Sequence, residues 1–246
     1  MAVTVEDLRA MERLHVRAWP AFETVTIDGW LWRYSGGGSQ RANSVSTVDF
    51  TGPDVSAALD EVEARYRAKG APARVHTYDA SAPKNVAALL VARGYGSSET
   101  TFTMTKPVGR AIRPPDVEIF DNATAAWRDV YHGAITENRR AVSSRILETV
   151  PPPRAFFACR RGGAVISTGL CVADGACAVI ECMATREDAR RNGGAQAVLR
   201  ALEWWAGEQG VRTLGLQVVS TNAPAVALYR GLGFAAVATN RFWVHD

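Results

Sequence analysis

Two arginines and a pair of glycines, Arg190-Arg191-Asn192-Gly193-Gly194-Ala195, stand directly in front of an amphipathic stretch that runs to about Gln209. Helix starts ordinarily carry Ser, Thr, Asp or Asn and welcome acidic side chains, because free backbone N–H groups and the positive dipole end sit there. Basic residues and glycines at such a start suit a guest that brings negative charge. A glycine-rich turn leaves several N–H groups aimed into a concavity that holds phosphate oxygens. Gly193 and Gly194 have no side chains to keep that guest from the backbone, and Arg190 and Arg191 add charge-assisted bonds. The plainer alternative is a turn with its arginines in water.

A second candidate is Glu181, the lone carboxylate in the apolar run "ACAVIECMAT", Ala176 to Thr185. Strand alternation puts Val179, Glu181, Met183 and Thr185 on one face and Cys182 on the other. A carboxylate placed there can take a proton or serve as an ion-pair partner, and both readings stand. His132 and Glu137 are weaker alternatives as a base. The four cysteines, Cys159, Cys171, Cys177 and Cys182, form no C-x-x-C pair, and no histidine lies at zinc-site spacing. Free thiols and no metal are therefore expected.

The elements that carry these residues follow from local pattern. "VEIF" reads as a strand, "NATAAWRDVYHGAI" and "SSRILETV" as helices, "RAFFACR" and "AVISTGLCVA" as strands joined by a tight turn. "ACAVIECMAT" is a further strand, "VRTLGLQVV" another, "APAVALYRGL" a short helix and "RFWV" a last strand. Val198, Leu202 and Trp205 share one helix face, a core pattern. This order indicates a mixed α/β sheet, mostly antiparallel and flanked by helices. The segment 107–116, rich in Pro, Gly and Arg, reads as a linker between units 1–106 and 117–246.

The first unit ends in a similar order: a helix in "DVSAALDEVEARYRAKG", a strand in "ARVHTYDAS", a helix in "PKNVAALLVARGY" and a strand in "SSETTFTMTK". Ser81–Tyr95 lies over Ser220–Phe234 without a gap, with Gly94 on Gly233 and Tyr95 on Phe234. The chain therefore reads as two copies of one fold.

The C-terminal residues resemble the GNAT superfamily of N-acetyltransferases. Arg190 to Ala195 matches that family's Gln/Arg-x-x-Gly-x-Gly/Ala signature, and "NAPAVALYRGLGF", Asn222 to Phe234, matches its second hallmark. The resemblance covers roughly Val117 to Val244 and implies that the guest is the pyrophosphate of acetyl-CoA. It implies that the pantetheine arm lies along Met183, Ala184 and Thr185, with the Met183 N–H polarising the thioester carbonyl. Tyr229 then falls where the family keeps its acid, and Asn222 where the splayed strands are held and CoA is touched. Glu181 is the candidate base, acting directly or through water. The implied activity is direct acetyl transfer from acetyl-CoA to a primary amine in a ternary complex. A non-catalytic acyl-CoA sensor is the alternative.

"DGWLWRYSGGGSQRANSV", Asp28 to Val45, is similar to the opening of two-domain bacterial members, so the first unit reads as a degenerate copy. Matching "FTGPDV" to "RRNGGA" sets Pro53 on Gly193 and Asp54 on Gly194, and Leu90 falls on Tyr229. A proline lacks the N–H and an aspartate repels phosphate, so this copy is expected not to bind acetyl-CoA. "SGGGSQ" reads as a loop between strands, with a mobile flap over the acceptor as an alternative.

Over 246 residues, 47% are hydrophobic and 22% charged, with 28 basic and 25 acidic side chains giving a net charge of +3. That balance is too mild for a nucleic-acid partner. No apolar run approaches the roughly 20 residues of a membrane helix, and the charged opening "MAVTVEDLRAMERL" is unlike a signal peptide. A cytoplasmic protein is expected, acting on a small-molecule amine in preference to a protein. Monomer and homodimer both fit.

Overall fold

The computed structural model describes residues 3–245; Met1 and Ala2 of the opening stretch and Asp246 lie outside them. Helix α1 (Val5–Ala18) begins at a reciprocal cap, in which Asp7 N donates to Thr4 Oγ1 at 3.1 Å and Thr4 N to Asp7 Oδ2 at 2.9 Å. Met11, Leu14 and Ala18 form its buried stripe, and Glu12 and His15 are buried beside them. Strands β1 (Glu23–Ile27) and β2 (Trp30–Tyr34) pair antiparallel, followed by a short β3 (Val45–Ser46). Then come α2 (Val55–Ala68), β4 (Ala73–Tyr78), α3 (Val86–Ala92), β5 (Gly96–Ser97) and β6 (Thr101–Pro107).

The second half runs β7 (Val117–Phe120), α4 (Ala125–Gly133), α5 (Glu137–Thr149), β8 (Arg154–Arg161), β9 (Ala164–Asp174) and β10 (Cys177–Thr185). It closes with α6 (Gly194–Glu208), β11 (Thr213–Val219), α7 (Ala223–Gly231) and β12 (Ala235–His245). The described strands form one twelve-stranded sheet, ordered β1-β2-β3-β4-β12-β6-β11-β10-β9-β8-β7, with β5 also on β12. Its pairs are antiparallel except β3–β4 and β10–β11. This is the mixed, mostly antiparallel α/β sheet that the element order indicates.

The two halves interlock within that sheet. Strand β6 lies between β11 and β12, and β12 continues past it to pair with β4 from Asn240↔Tyr78 to His245↔Ala73. Strand β12 is therefore much longer than "RFWV", because it serves β6 along its first part and β4 along its second. The stretch after β6 is tied to the second half: Val108 N donates to Arg212 O at 2.9 Å and Gly109 N to Glu203 Oε1 at 2.9 Å.

Three main cores result. On one face of the second half, α6 and α7 pack Val198, Leu202, Val226 and Tyr229 over Ile180, Leu214 and Leu216. On the other, α4 and α5 join α1, so that Trp127, Ile146 and Met11 share a core with Val179 and Leu170. The third lies under α2 and α3, where Leu59, Tyr66 and Leu90 meet Trp30, Trp32 and Val75. Helix α1 thus belongs by sequence to the first half and by packing to the second.

Candidate active site

Strands β10 and β11 pair in parallel from Cys177↔Thr213 to Ile180↔Leu216 and no further. Beyond that point a cavity of about 1110 Å³ opens, lined by Ile180 to Met183 on one side and Leu216 to Val219 on the other. Asn222 and Tyr229 reach it from one face, Trp19, Ser39, Arg41 and Tyr131 from the other.

A bulge shapes the β10 wall. Glu181 faces Leu170 on β9, but the next pair is Ala184↔Thr168, so three steps on β10 match two on β9. Cys182 absorbs the extra residue at φ +55°. Simple alternation therefore fails here, correcting the expectation that Val179, Glu181, Met183 and Thr185 share a face. Val179 and Glu181 face α1, while Met183 packs with the α6 core. Cys182, expected opposite Glu181, joins Val179 and Ala184 in the α1 core. Thr185 Oγ1 lies 2.6 Å from Ser167 Oγ, and the Ala184 carbonyl accepts from the same Ser167 hydroxyl at 2.9 Å.

Glu181 is nearly buried and ion-paired on both sides. Its Oε1 accepts from His15 Nδ1 at 2.9 Å and from Arg41 Nη1 at 2.5 Å. Burial by itself would push this carboxyl up, but Arg41 and His15 outweigh it and hold the group below the usual carboxylate range. Tyr229 is 8% exposed, and its phenol, pushed up by burial and then by the charge of Glu181, reaches about 12. Burial also pushes the Cys182 thiol far up, with Glu181 adding to it. Asn222 caps α7, its Oδ1 accepting from Ala225 N at 3.3 Å.

The arginine–glycine turn closes onto α6. Arg191 stands at φ +65° and Gly193 at φ +75°, and no side chain caps the helix. Gly194 serves close packing: a Cβ there would meet Ile166 Cδ1 at 3.0 Å and Ser167 Cβ at 3.1 Å. The Asn192 carbonyl accepts from Arg161 Nη1, and Arg161 is in turn paired with Asp116 at 3.0 Å. Arg190 is exposed, 3.5 Å from Glu187. In the first half, Asp54 stands at the start of α2 and accepts from Ser56 N at 2.8 Å and Ala57 N at 3.3 Å. By cap position Asp54, not Pro53, corresponds to Gly193. Leu90 is buried in the third core.

The "SGGGSQ" loop lines the cavity through Gly37, Gly38, Ser39 and Gln40 and is pinned there by its own hydrogen bonds. Asn43 Oδ1 accepts from Ser35 N at 2.7 Å and Gly37 N at 3.2 Å, and its Nδ2 donates to Gly37 O and Ser39 O. Gly38 lies so close to α5 that a Cβ would meet Asn138 O at 3.0 Å. His132 makes a 3.1 Å contact with Ser144 and, like the exposed Glu137, does not line the cavity. Among the described residues, no group of three or more His, Cys, Asp or Glu side chains could hold a metal ion, and no helix is long and apolar enough to cross a membrane.

His15 and Arg41 escaped the motif reading. A signal for His15 existed, since it occupies an inward position of the Met11, Leu14, Ala18 stripe. Arg41, in a Gly- and Ser-rich loop, carried none.

Strands that part beside a bulge, ahead of a glycine turn and an uncapped helix, are the features of an N-acetyltransferase of the GNAT kind. A family model described as "Probable histone acetyltransferase Rv0428c C-terminal" matches residues 5–243, and the chain belongs to that family. It is 29% identical over 249 residues to "Uncharacterized N-acetyltransferase YobR" of Bacillus subtilis (strain 168), covering 97% of this chain and 98% of the relative. A GCN5-related N-acetyltransferase from Kribbella flavida shares the fold at a TM-score of 0.73 and 15% identity, covering 100% of this chain and 96% of that one. A tandem GNAT protein from the clavulanic acid biosynthesis pathway does so at 0.64 and 13%, covering 99% and 96%.

Proposed function

We propose that this enzyme moves an acetyl group from acetyl-CoA directly to a primary amine in a ternary complex, and that the amine belongs to a small molecule. The observation that carries this is the single cavity between the parted strands, which brings Glu181, Met183, Asn222 and Tyr229 together. The open N–H groups at the start of α6 fit the diphosphate, with Arg190 and Arg191 beside them; the same groups on α2 are taken up by Asp54. That contrast supports a degenerate first copy. Met183, Ala184 and Thr185 would hold the pantetheine arm through their main chain, and the Met183 N–H would stabilise the oxyanion.

In the reaction the amine nitrogen bonds to the thioester carbon, the C–S bond breaks, and the amine yields a proton to Glu181, directly or through water. CoA leaves as its thiolate, toward which Tyr229 donates a hydrogen bond. A thiol pushed up as far as that of Cys182 offers no thiolate, which supports direct transfer over an acetyl-cysteine. Trp19, Ser39 and Arg41 wall the acceptor side, which favours a small molecule.

The test is release of CoA thiol across amines of different classes, from amino acids and aminoglycosides to lysine peptides. Sequential kinetics with one amine class support the proposal. A ping-pong pattern with a trapped acetyl-enzyme overturns it. Tight CoA binding with no transfer to any amine points instead to an acyl-CoA sensor.

A further inference from the structure

We propose that His15 and Arg41, both from the first half of the chain, are positioning residues that clamp Glu181 by one oxygen and leave the other for the acceptor. This rests on the reading of Glu181 as the base. Both hydrogen bonds end on Oε1; Oε2 makes none to a described residue and is not sealed from the cavity. The clamp is itself held rigidly. Arg41 opens a short 3₁₀ turn whose Ala42 is buried, and Ser39 Oγ ties that turn to Trp19 Nε1 at 3.0 Å and Ala42 N at 3.3 Å. His15 is 1% exposed on α1, and its Nε2 is buried without a partner, so the ring is held in place by its Nδ1 contact to Glu181.

The physical need is clear. A carboxylate buried against an apolar face would take up a proton and cease to accept one. The groups around it are His15 on α1 with Glu12 behind it, Arg41 from the loop, Cys182 on its own strand, Tyr131 on α4, Arg139 on α5 and Tyr229 on α7. Of these, Arg41 and His15 touch it. The catalytic half therefore lacks a working base without the first half, although the first half lacks a phosphate turn of its own.

The test is the titration of Glu181 in the full chain, read from the ¹³C shift of labelled glutamate carboxyls, with Glu181→Gln assigning the signal. In the native protein the midpoint should lie below the usual value of about 4.3. Arg41→Met should move it above that value and Arg41→Lys only part of the way. An unmoved midpoint in folded Arg41→Met overturns the proposal. If Arg41→Met does not fold, His15→Gln and Arg41→Lys carry the same readout, and neither moving the midpoint is equally fatal. With an amine from the screen, Arg41→Met should cut kcat about tenfold for each unit by which the midpoint passes the assay pH, at unchanged Kd for acetyl-CoA. A shifted midpoint with no amine acetylated by the native enzyme would defeat the transfer reading alone and leave the clamp standing.

Discussion

Tyr229→Phe separates chemistry from binding because the structure leaves its hydroxyl free. That oxygen makes no hydrogen bond to any described residue, yet it is not sealed, so removing it costs the fold no partner among them. With its phenol at about 12, Tyr229 remains protonated throughout any practical assay. A CoA thiol titrates near the ordinary ~8.5 of a thiol, so complete proton transfer from such a phenol is uphill by roughly 5 kcal/mol. In the proposed reaction Tyr229 would therefore act as a hydrogen-bond donor to the sulfur while its charge develops. Removing one donor to a developing anion costs about 10²- to 10³-fold in kcat. The expected loss is about 10²-fold, constant from pH 6 to pH 10, with Kd for acetyl-CoA and the urea midpoint nearly unchanged. The assay is thiol release with an amine from the screen, paired with calorimetric titration of acetyl-CoA. A loss that fades at high pH, or one that appears in Kd, would refute the reasoning.

Arg190→Ala/Arg191→Ala should weaken CoA more than dephospho-pantetheine in calorimetric titration, and equal losses would place those arginines away from the phosphates. Gly194→Ala should lower stability by about 1–3 kcal/mol, the cost of overpacking where α6 meets Ile166 and Ser167; an unchanged urea midpoint would contradict that contact. Glu12 is fully buried, which alone would push it up, but His76 with His15 and Arg33 holds it at about 2. A carboxylate held below its unfolded value of about 4.3 stabilises the fold above that pH and loses this as the pH falls toward 2. The urea midpoint should therefore fall between pH 5 and pH 3, and fall less in Glu12→Gln.

The glycine turn, the uncapped start of α6 and the element order were legible in the sequence, because each is set by neighbours within a turn or two. Trp205 followed its helix period into the core and meets Phe157 edge-on at 6.2 Å. The bulge at Cys182 was not legible, since a positive φ at a non-glycine residue is imposed by the partner strands. Asp54 at the α2 start was visible as an acid, but its register against Gly193 needed the cap itself.

The sequence by itself determined the glycine turn, the uncapped helix start behind it and the order of the strands around them. Tertiary structure alone decided what holds Glu181, because Arg41 is 140 positions from it and His15 is 166. It also decided that β12 and β6 weave the two halves into one sheet. Periodicity records which face of an element is buried, and carries no record of which distant side chain will meet it there.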